Sequence, residues 1–286
     1  MSEALPGGMR TVKDVLALSS AYLAAKESPT ARLDAELLIG SVLGLDRLEL
    51  YLHHDRPVTA AELAAIRPLL RRRADLEPIA YILGRQGFHH VTVKSDARAL
   101  VPRPETETLV EVALASLPER GRLIDVGTGA GVIAIAVKHA RPDAEVTAVD
   151  VSVEALTLAR ENAELIGVEV AFAQSNLLAA VAGRRFHVIA ANLPYIPVGD
   201  PRTEPGVVRH EPHLALYGGD DGLDLVRRLV AAAPAQLEAR GTIVLEVSDE
   251  QAPAVRTLLE AAGLVDVAFH RDLAGVDRVV AAVMPA

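Results

Sequence analysis

The chain reads as an α/β protein, a seven-stranded and mostly parallel sheet preceded by a small helical domain. Three observations predict this. From Arg122 onward, seven short apolar runs (residues 123–126, 146–149, 168–173, 188–191, 242–247, 265–269 and 278–283) lie between turn signals, as strands buried on both faces do. Helical patterns fill the intervals after the first, second, fourth and fifth runs, which implies parallel strands joined by crossovers. The last two runs are joined through the short segment 272–277, and so short a link permits antiparallel pairing alone.

The elements ahead of that sheet differ in style. Residues 1–10 read as disordered. From Thr11 the positions Val12, Val15, Leu16, Tyr22 and Leu23 fall on one helical face. A second helix is expected to restart at Ser28-Pro29, with Ser28 as cap, Pro29 at the first position and Leu33, Leu37, Leu38 and Val42 as its stripe. Thr59 and Glu62 form a capping-box pattern that opens a third helix towards Arg73. Arg71, Arg72 and Arg73 read as its solvated end. Residues 78–107 suggest a strand pair, Phe88, Val91 and Val93 facing Leu100-Val101. The expected organisation is thus a helical domain over 1–77, a strand-pair linker over 78–107 and the sheet domain over 108–286.

At 286 residues, half of them hydrophobic and 23% charged, the chain suits roughly two globular domains. It contains no cysteine, which excludes disulfides, thiol nucleophiles and Cys-ligated zinc. The net charge of −9 is uneven: residues 1–100 balance at +1 and residues 101–286 at −10. An acidic second half argues against a broad phosphate-binding surface. The opening residues lack the pattern of a signal peptide, and no apolar run approaches a bilayer span, so the expected compartment is the cytoplasm. The histidine pairs at 53–54 and 89–90 lack metal-ligand spacing, and Pro212 breaks any helical turn through His210-Glu211-Pro212-His213; these read as surface or packing residues, and no metal site is expected.

The chemistry is expected at strand ends. The run Val188–Ala191 gives way to Asn192-Leu193-Pro194-Tyr195. Pro194 holds Leu193 extended and stops the strand, leaving carbonyls without ladder partners. A planar NH2 group needs two acceptors in its plane; the Asn192 side-chain oxygen and the Leu193 carbonyl supply two, and the Tyr195 ring can pack on the flat face. Taken alone, the same four residues equally describe a strand-ending turn. Asp125-Val126-Gly127-Thr128-Gly129-Ala130-Gly131 follows the first run and precedes an apolar helix. Glycines there admit a ligand close to the backbone, and a helix N-terminus favours negative charge. Asp150 ends the second strand, where a carboxylate suits ribose hydroxyls. The glycine spacing alone leaves NAD open. The frame starting at Gly127, together with Asn-Leu-Pro-Tyr, favours S-adenosyl-L-methionine (AdoMet), and the strand pattern has the layout of the Rossmann-like AdoMet methyltransferase sheet.

With these residues in view, the sequence resembles the release-factor glutamine methyltransferases, which methylate the side-chain amide nitrogen of the Gly-Gly-Gln glutamine in class I peptide chain release factors. The resemblance rests on residues 33–38, 78–84, 211–216, 218–223, 245–247 and 272–279, and above all on Val101-Pro102-Arg103-Pro104-Glu105-Thr106-Glu107, which by itself reads as a proline-rich linker with helix N-terminal acids. It implies that Gly127, Thr128, Gly129, Ala130, Gly131 and Asp150 hold AdoMet, which leaves as S-adenosyl-L-homocysteine. The Ser175-Asn176-Leu177 loop would border the adenine, and Asn192, Leu193, Pro194 and Tyr195 would bind and act on the glutamine. Two departures stand out: the family has proline where Leu193 stands, and Asp followed by a bulky residue where Asn176 and Leu177 stand. Asn-Leu-Pro-Tyr also resembles the motif of rRNA adenine dimethyltransferases, so an adenine-amine methyltransferase acting on nucleic acid is the enzyme alternative and a silent AdoMet-binding scaffold the non-enzyme one. The resemblance implies a release factor as partner, with no membrane and no direct nucleic acid. The unpatterned residues 196–222 read as part of the substrate channel.

Overall fold

The computed structural model describes residues 10–286, so the disorder expected for residues 1–10 falls, except for Arg10, outside the described residues. The chain divides into two compact units: residues up to Gly84 together with Glu204–His210, and Arg85–Thr203 together with Glu211–Ala286.

The first unit contains α1 (Val12–Ala24), α2 (Ala31–Leu43), α3 (Arg47–Leu52), α4 (Ala60–Ala74) and α5 (Ile79–Leu83), and takes in α9 (Pro205–His210) from the later stretch read as unpatterned. Reciprocal capping boxes start three of these helices, from Thr11 and Asp14, Asp46 and Glu49, and Thr59 and Glu62. Each pairs two otherwise orphaned backbone donors. The apolar face of α1 meets Ala35, Ile39, Leu50, Val58 and Ile66 in one core.

Three expectations for this unit are corrected. α2 begins at Ala31 behind Thr30, and Ser28 is buried and donates to Asp34 Oδ2 at 2.5 Å. The buried face of α2 carries Asp34, Ala35, Glu36, Leu38 and Ile39, while Leu33 is exposed. Arg73 is not a solvated end: it is buried and donates to the same Asp34 oxygen at 2.7 Å. A polar pair that satisfies its own hydrogen bonds can occupy a face that hydrophobic spacing assigns to leucine. Burial raises the pKa of Glu36, but donation from Arg32, Tyr51 and Arg47 outweighs it and brings the group down to about 2.

In the second unit, β1 (Arg85–Phe88) and β2 (Val91–Lys94) form an antiparallel pair closed by His89-His90. Leu100 and Val101 were the expected partner; they lie in no strand, and β2 pairs instead with β1 across a two-residue hairpin. The segment after them enters α6 (Thr106–Ser116). The main sheet follows: β3 (Arg122–Val126), β4 (Glu145–Asp150), β5 (Ala171–Gln174), β6 (Phe186–Ala191), β7 (Leu237–Glu246), β8 (Val265–Arg271) and β9 (Asp277–Val283), with α7 (Val132–Ala140), α8 (Val153–Ile166), α10 (Asp224–Ala232) and α11 (Ala252–Ala261) between strands. The strand order is β5-β4-β3-β6-β7-β9-β8, parallel from β5 to β7, with β9 antiparallel to both neighbours. The order reverses between β3 and β6, and the crevice above such a switch point is where open α/β sheets bind ligands.

Candidate active site

Register brings the carboxyl ends of three strands level. Val126 of β3 pairs with Val149 of β4 on one side and Ala191 of β6 on the other. Gly127, Asp150 and Asn192 therefore follow or end neighbouring strands, and all three line one cavity of about 340 Å³ within the second unit.

The glycine loop is held by the sheet. The Gly127 and Thr128 N–H groups both donate to the Val149 carbonyl, at 2.8 and 3.0 Å. Gly127 sits at φ +76°, and a Cβ there would come 2.9 Å from Leu193 Cδ2. The side chain of Leu193, buried beside Gly127, thus requires the glycine it covers. Asp150 accepts from the Gly129 N–H through Oδ2 and from the Ser152 N–H through Oδ1, each at 2.9 Å. Each oxygen retains a lone pair, so a carboxylate anchored from behind can still accept two further hydroxyls. Across the cavity, Asn176 Oδ1 accepts from Arg228 Nη2 at 2.8 Å. Leu177 adopts φ +51°, with its carbonyl accepting from the Ser175 hydroxyl at 2.6 Å.

At the other end, Asn192 Nδ2 donates to Thr106 Oγ1 at 3.1 Å, bridging β6 to the start of α6. The amide thereby turns its nitrogen inward, leaving the oxygen available as an acceptor. The irregular segment that follows is braced by a returning one: Ile196 N–H donates to the Leu216 carbonyl and Gly218 N–H to the Ile196 carbonyl, both at 3.0 Å. Glu211 is buried and accepts from the Val101 N–H at 3.0 Å and from Arg103 at 2.6 Å. The reading of residues 210–213 as surface or local packing is corrected at this position, since Glu211 clamps one rim of the cavity.

Two buried carboxyls lie beneath the site. Burial pushes Asp125 up to about 7, against donation from Thr128 and the Ala134 N–H, with Asp150 adding to the rise. Burial likewise pushes Glu246 up to about 7, against the Thr106 hydroxyl, Arg278 and the Asn192 amide, with Glu105 raising it. A carboxyl whose folded pKa exceeds its unfolded value contributes stability that is full below the unfolded pKa, near 4, and is lost as pH rises through about 7. Glu246→Gln, which cannot ionise, should therefore show a smaller fall in melting temperature between pH 5 and 7.5 than wild type. Identical pH dependence of the two melts would contradict the burial assigned to this carboxyl.

Comparison with known proteins gives the lineage. Residues 14–84 match the family model described as PrmC N-terminal domain, and residues 104–204 match Methyltransferase small domain. A curated release factor glutamine methyltransferase of Xylella fastidiosa is 45% identical over 262 residues, 91% of this chain and 95% of the relative. One of Deinococcus radiodurans is 43% identical over 273 residues, 95% of this chain and 98% of the relative. The chain belongs to the release factor glutamine methyltransferase family. The sheet of this family member also resembles a methyltransferase from Pyrococcus furiosus (TM-score 0.54, 19% identity, 68% of this chain and 89% of that one). A Thermus thermophilus 16S rRNA N2 G1207 methyltransferase, solved with AdoMet and guanosine, is similar at TM-score 0.51 and 19% identity over 70% of this chain and 49% of that one. At such identities the likeness concerns the fold.

Within this family member the cavity gathers most of the residues expected from sequence: Gly127, Thr128, Gly129, Ala130, Asp150, Asn176, Leu177, Asn192, Leu193 and Pro194. Two stand outside its lining. Gly131 packs α7 against α8, where a Cβ would come 3.0 Å from Ala159. Tyr195 is turned away; its hydroxyl is pushed up to about 12, by burial and then by the Glu246 carboxyl. Thr106, Glu246 and Glu211 are not marked in the sequence as parts of the site, because their partners are distant: Thr106 lies 86 residues from Asn192, Glu211 lies 108 and 110 residues from Arg103 and Val101, and Glu246 bears on Thr106 and Asn192 from another strand. No helix among the described residues is long and apolar enough to cross a membrane, and no group of three or more His, Asp or Glu side chains among them could hold a metal ion.

Proposed function

We propose that this protein transfers a methyl group from AdoMet to the side-chain amide nitrogen of the glutamine in the Gly-Gly-Gln motif of a class I release factor. The observation that carries the reading is the Asn192 amide, oriented by Thr106 at a strand end beside a loop suited to AdoMet. The spare lone pairs of Asp150 fit the ribose hydroxyls, and the open face of Gly129, where a Cβ would find its nearest neighbour 3.8 Å away, admits a ligand against the backbone. Asn176 and Leu177 would border the adenine. When bound, AdoMet supplies an electrophilic sulfonium methyl.

The chain's own residues do the rest. An amide nitrogen is a weak nucleophile, since its lone pair is delocalised into the carbonyl. The Asn192 Oδ1 and the Leu193 carbonyl accept its two N–H bonds and hold the nitrogen in line with the methyl group. Positive charge would grow on those N–H groups as the new N–C bond forms and the methyl–sulfonium bond breaks; two preoriented dipoles would stabilise it until one of the two protons is lost to solvent, leaving the neutral N-methyl amide. The helical unit, with Leu48, Tyr51 and Leu52 of α3 exposed, carries recognition of the protein substrate.

The direct test incubates the protein with labelled AdoMet and a purified release factor, beside its Gln→Ala variant and a short Gly-Gly-Gln peptide. Label confined to the wild-type glutamine is expected, with a far higher KM for the peptide than for the intact factor. Equal label on the Gln→Ala factor would defeat the assignment, and label on RNA alone would establish the adenine-amine alternative suggested by Asn-Leu-Pro-Tyr. A KM for the peptide as low as for the intact factor would remove the role given to the helical unit. For the cofactor, a charge-assisted contact contributes about 1.5–3 kcal/mol, so Asp150→Ala should weaken AdoMet binding roughly ten- to a hundredfold by calorimetry. Unchanged affinity in the folded variant would contradict the ribose assignment.

A further inference from the structure

Asn192 works as an acceptor only if its amide is turned the right way, and an amide can rotate by half a turn about its last bond at little steric cost. Its neighbour Thr106 does not settle the matter alone, because a hydroxyl can donate or accept. Thr106 is buried, with 3% exposure, and it accepts from Asn192 Nδ2 at 3.1 Å. Its own proton must then go elsewhere. The group next to it is Glu246 at the end of β7, 2% exposed, with Oε2 lacking any hydrogen-bond partner. The Thr106 hydroxyl and the Asn192 amide both favour the charged form of that carboxyl. A carboxylate has no proton to give, so it can only accept.

We propose that Glu246 sets the direction of the Thr106 hydroxyl and, through it, turns the Asn192 amide so that its oxygen rather than its nitrogen faces the substrate. Glu246 and Thr106 are positioning residues, each acting through the Asn192 amide; Thr106 also lines the cavity, and Glu246 lies behind it. The inference rests on the glutamine-methylating reading above and supplies what that reading leaves unexplained, namely why an amide rather than a carboxylate can serve as a dependable acceptor. A protonated Glu246 can donate to Thr106, which frees Thr106 to donate to Asn192 Oδ1 and lets the amide reverse. The reversed amide presents N–H groups to an NH2 substrate, and binding geometry is lost. The groups that bear on Glu246 are Arg278 on β9, which favours its charged form, Glu105 ahead of α6, which disfavours it, and the neighbouring Tyr195 hydroxyl. Burial holds the carboxyl near 7, so the orientation should fail on the acid side of neutrality.

The test is single-turnover methylation of a release factor across pH 5.5–8.5 with AdoMet affinity measured in parallel. Wild type should lose rate as pH falls through about 7. Glu246→Gln should lose that acid limb and run slower on its alkaline side, because a primary amide can donate as well as accept. Thr106→Val, nearly isosteric, should lower the rate about ten- to a hundredfold with AdoMet affinity within about threefold, and Thr106→Ser should recover most of it. An unchanged rate in Thr106→Val, or an acid limb retained in Glu246→Gln, would overturn the proposal. A second readout needs no protein substrate: the side-chain amide protons of 15N-labelled Asn192, in the AdoMet-bound protein, should exchange slowly in wild type and rapidly in Thr106→Val. Slow exchange in both would also overturn it. If wild type labels no release-factor glutamine, the functional reading fails, and the exchange comparison still decides the orientation on its own.

Discussion

Asn192→Ala should lose on the order of 10²–10³ in single-turnover rate, the usual consequence of removing one preoriented dipole from a dry site. The side chain does not fill the core, and its nitrogen anchors the amide from behind, donating to Thr106 and favouring the charged form of the Glu246 carboxyl. Leu193 sets the contrast. Its carbonyl is the second acceptor, and its side chain, 4% exposed, closes over Gly127. Leu193→Pro keeps the carbonyl and fixes φ near the value that extended backbone already permits, while its ring refills part of the space above the loop. The rate should stay within about tenfold. Tyr195→Phe should be mild as well, since the ring lies outside the cavity lining and its hydroxyl remains protonated at neutral pH. Methylation kinetics on the three variants, with folding checked by melting, decide the point. A dead Leu193→Pro beside an active Asn192→Ala would mean that the acceptors are wrongly assigned.

These contrasts also mark what sequence could convey. The sheet was legible because strands buried on both faces are continuous apolar runs, and because Pro194 and the glycines from Gly127 to Gly131 punctuate the strand ends. The places of Asp150 and Asn192 at strand ends were legible for the same reason, as each directly ends or follows such a run. What escaped was polar burial. Asp34, Arg73 and Ser28 satisfy one another inside the helical unit, yet hydrophobic spacing assigns charged residues to the surface. Glu246 sits at the end of a strand as apolar as its neighbours, and nothing local indicates that its carboxyl faces Thr106. Long-range pairings of this kind leave no periodic trace, because each partner obeys the pattern of its own element.

Gly222→Ala should reduce methyl transfer about a hundredfold or more while AdoMet affinity stays within about threefold. Gly222 adopts φ +77°, and an added Cβ would sit 2.0 Å from the Tyr195 carbonyl oxygen and 2.5 Å from Gln251 Nε2. That oxygen is fixed in turn: Gln251 Nε2 donates to it at 2.9 Å and to the Asp221 carbonyl at 3.1 Å. The Tyr195 carbonyl has no room to yield without moving the Pro194-Tyr195 segment, and a displacement of about 1 Å at the substrate-holding strand end is enough to cost about 10² in rate. The AdoMet-facing loop is anchored separately, on Val149 and Asp150, so cofactor binding should survive. Gly199→Ala separates the clash from the conformation. It has the same sign of φ, +79°, with nothing within 4 Å of the added carbon, so it bears only the left-handed strain of about 1–2 kcal/mol. Melting of Gly199→Ala should therefore shift while its single-turnover rate remains near wild type. Equal rates in Gly199→Ala and Gly222→Ala would show that the returning loop does not hold the acceptors in place.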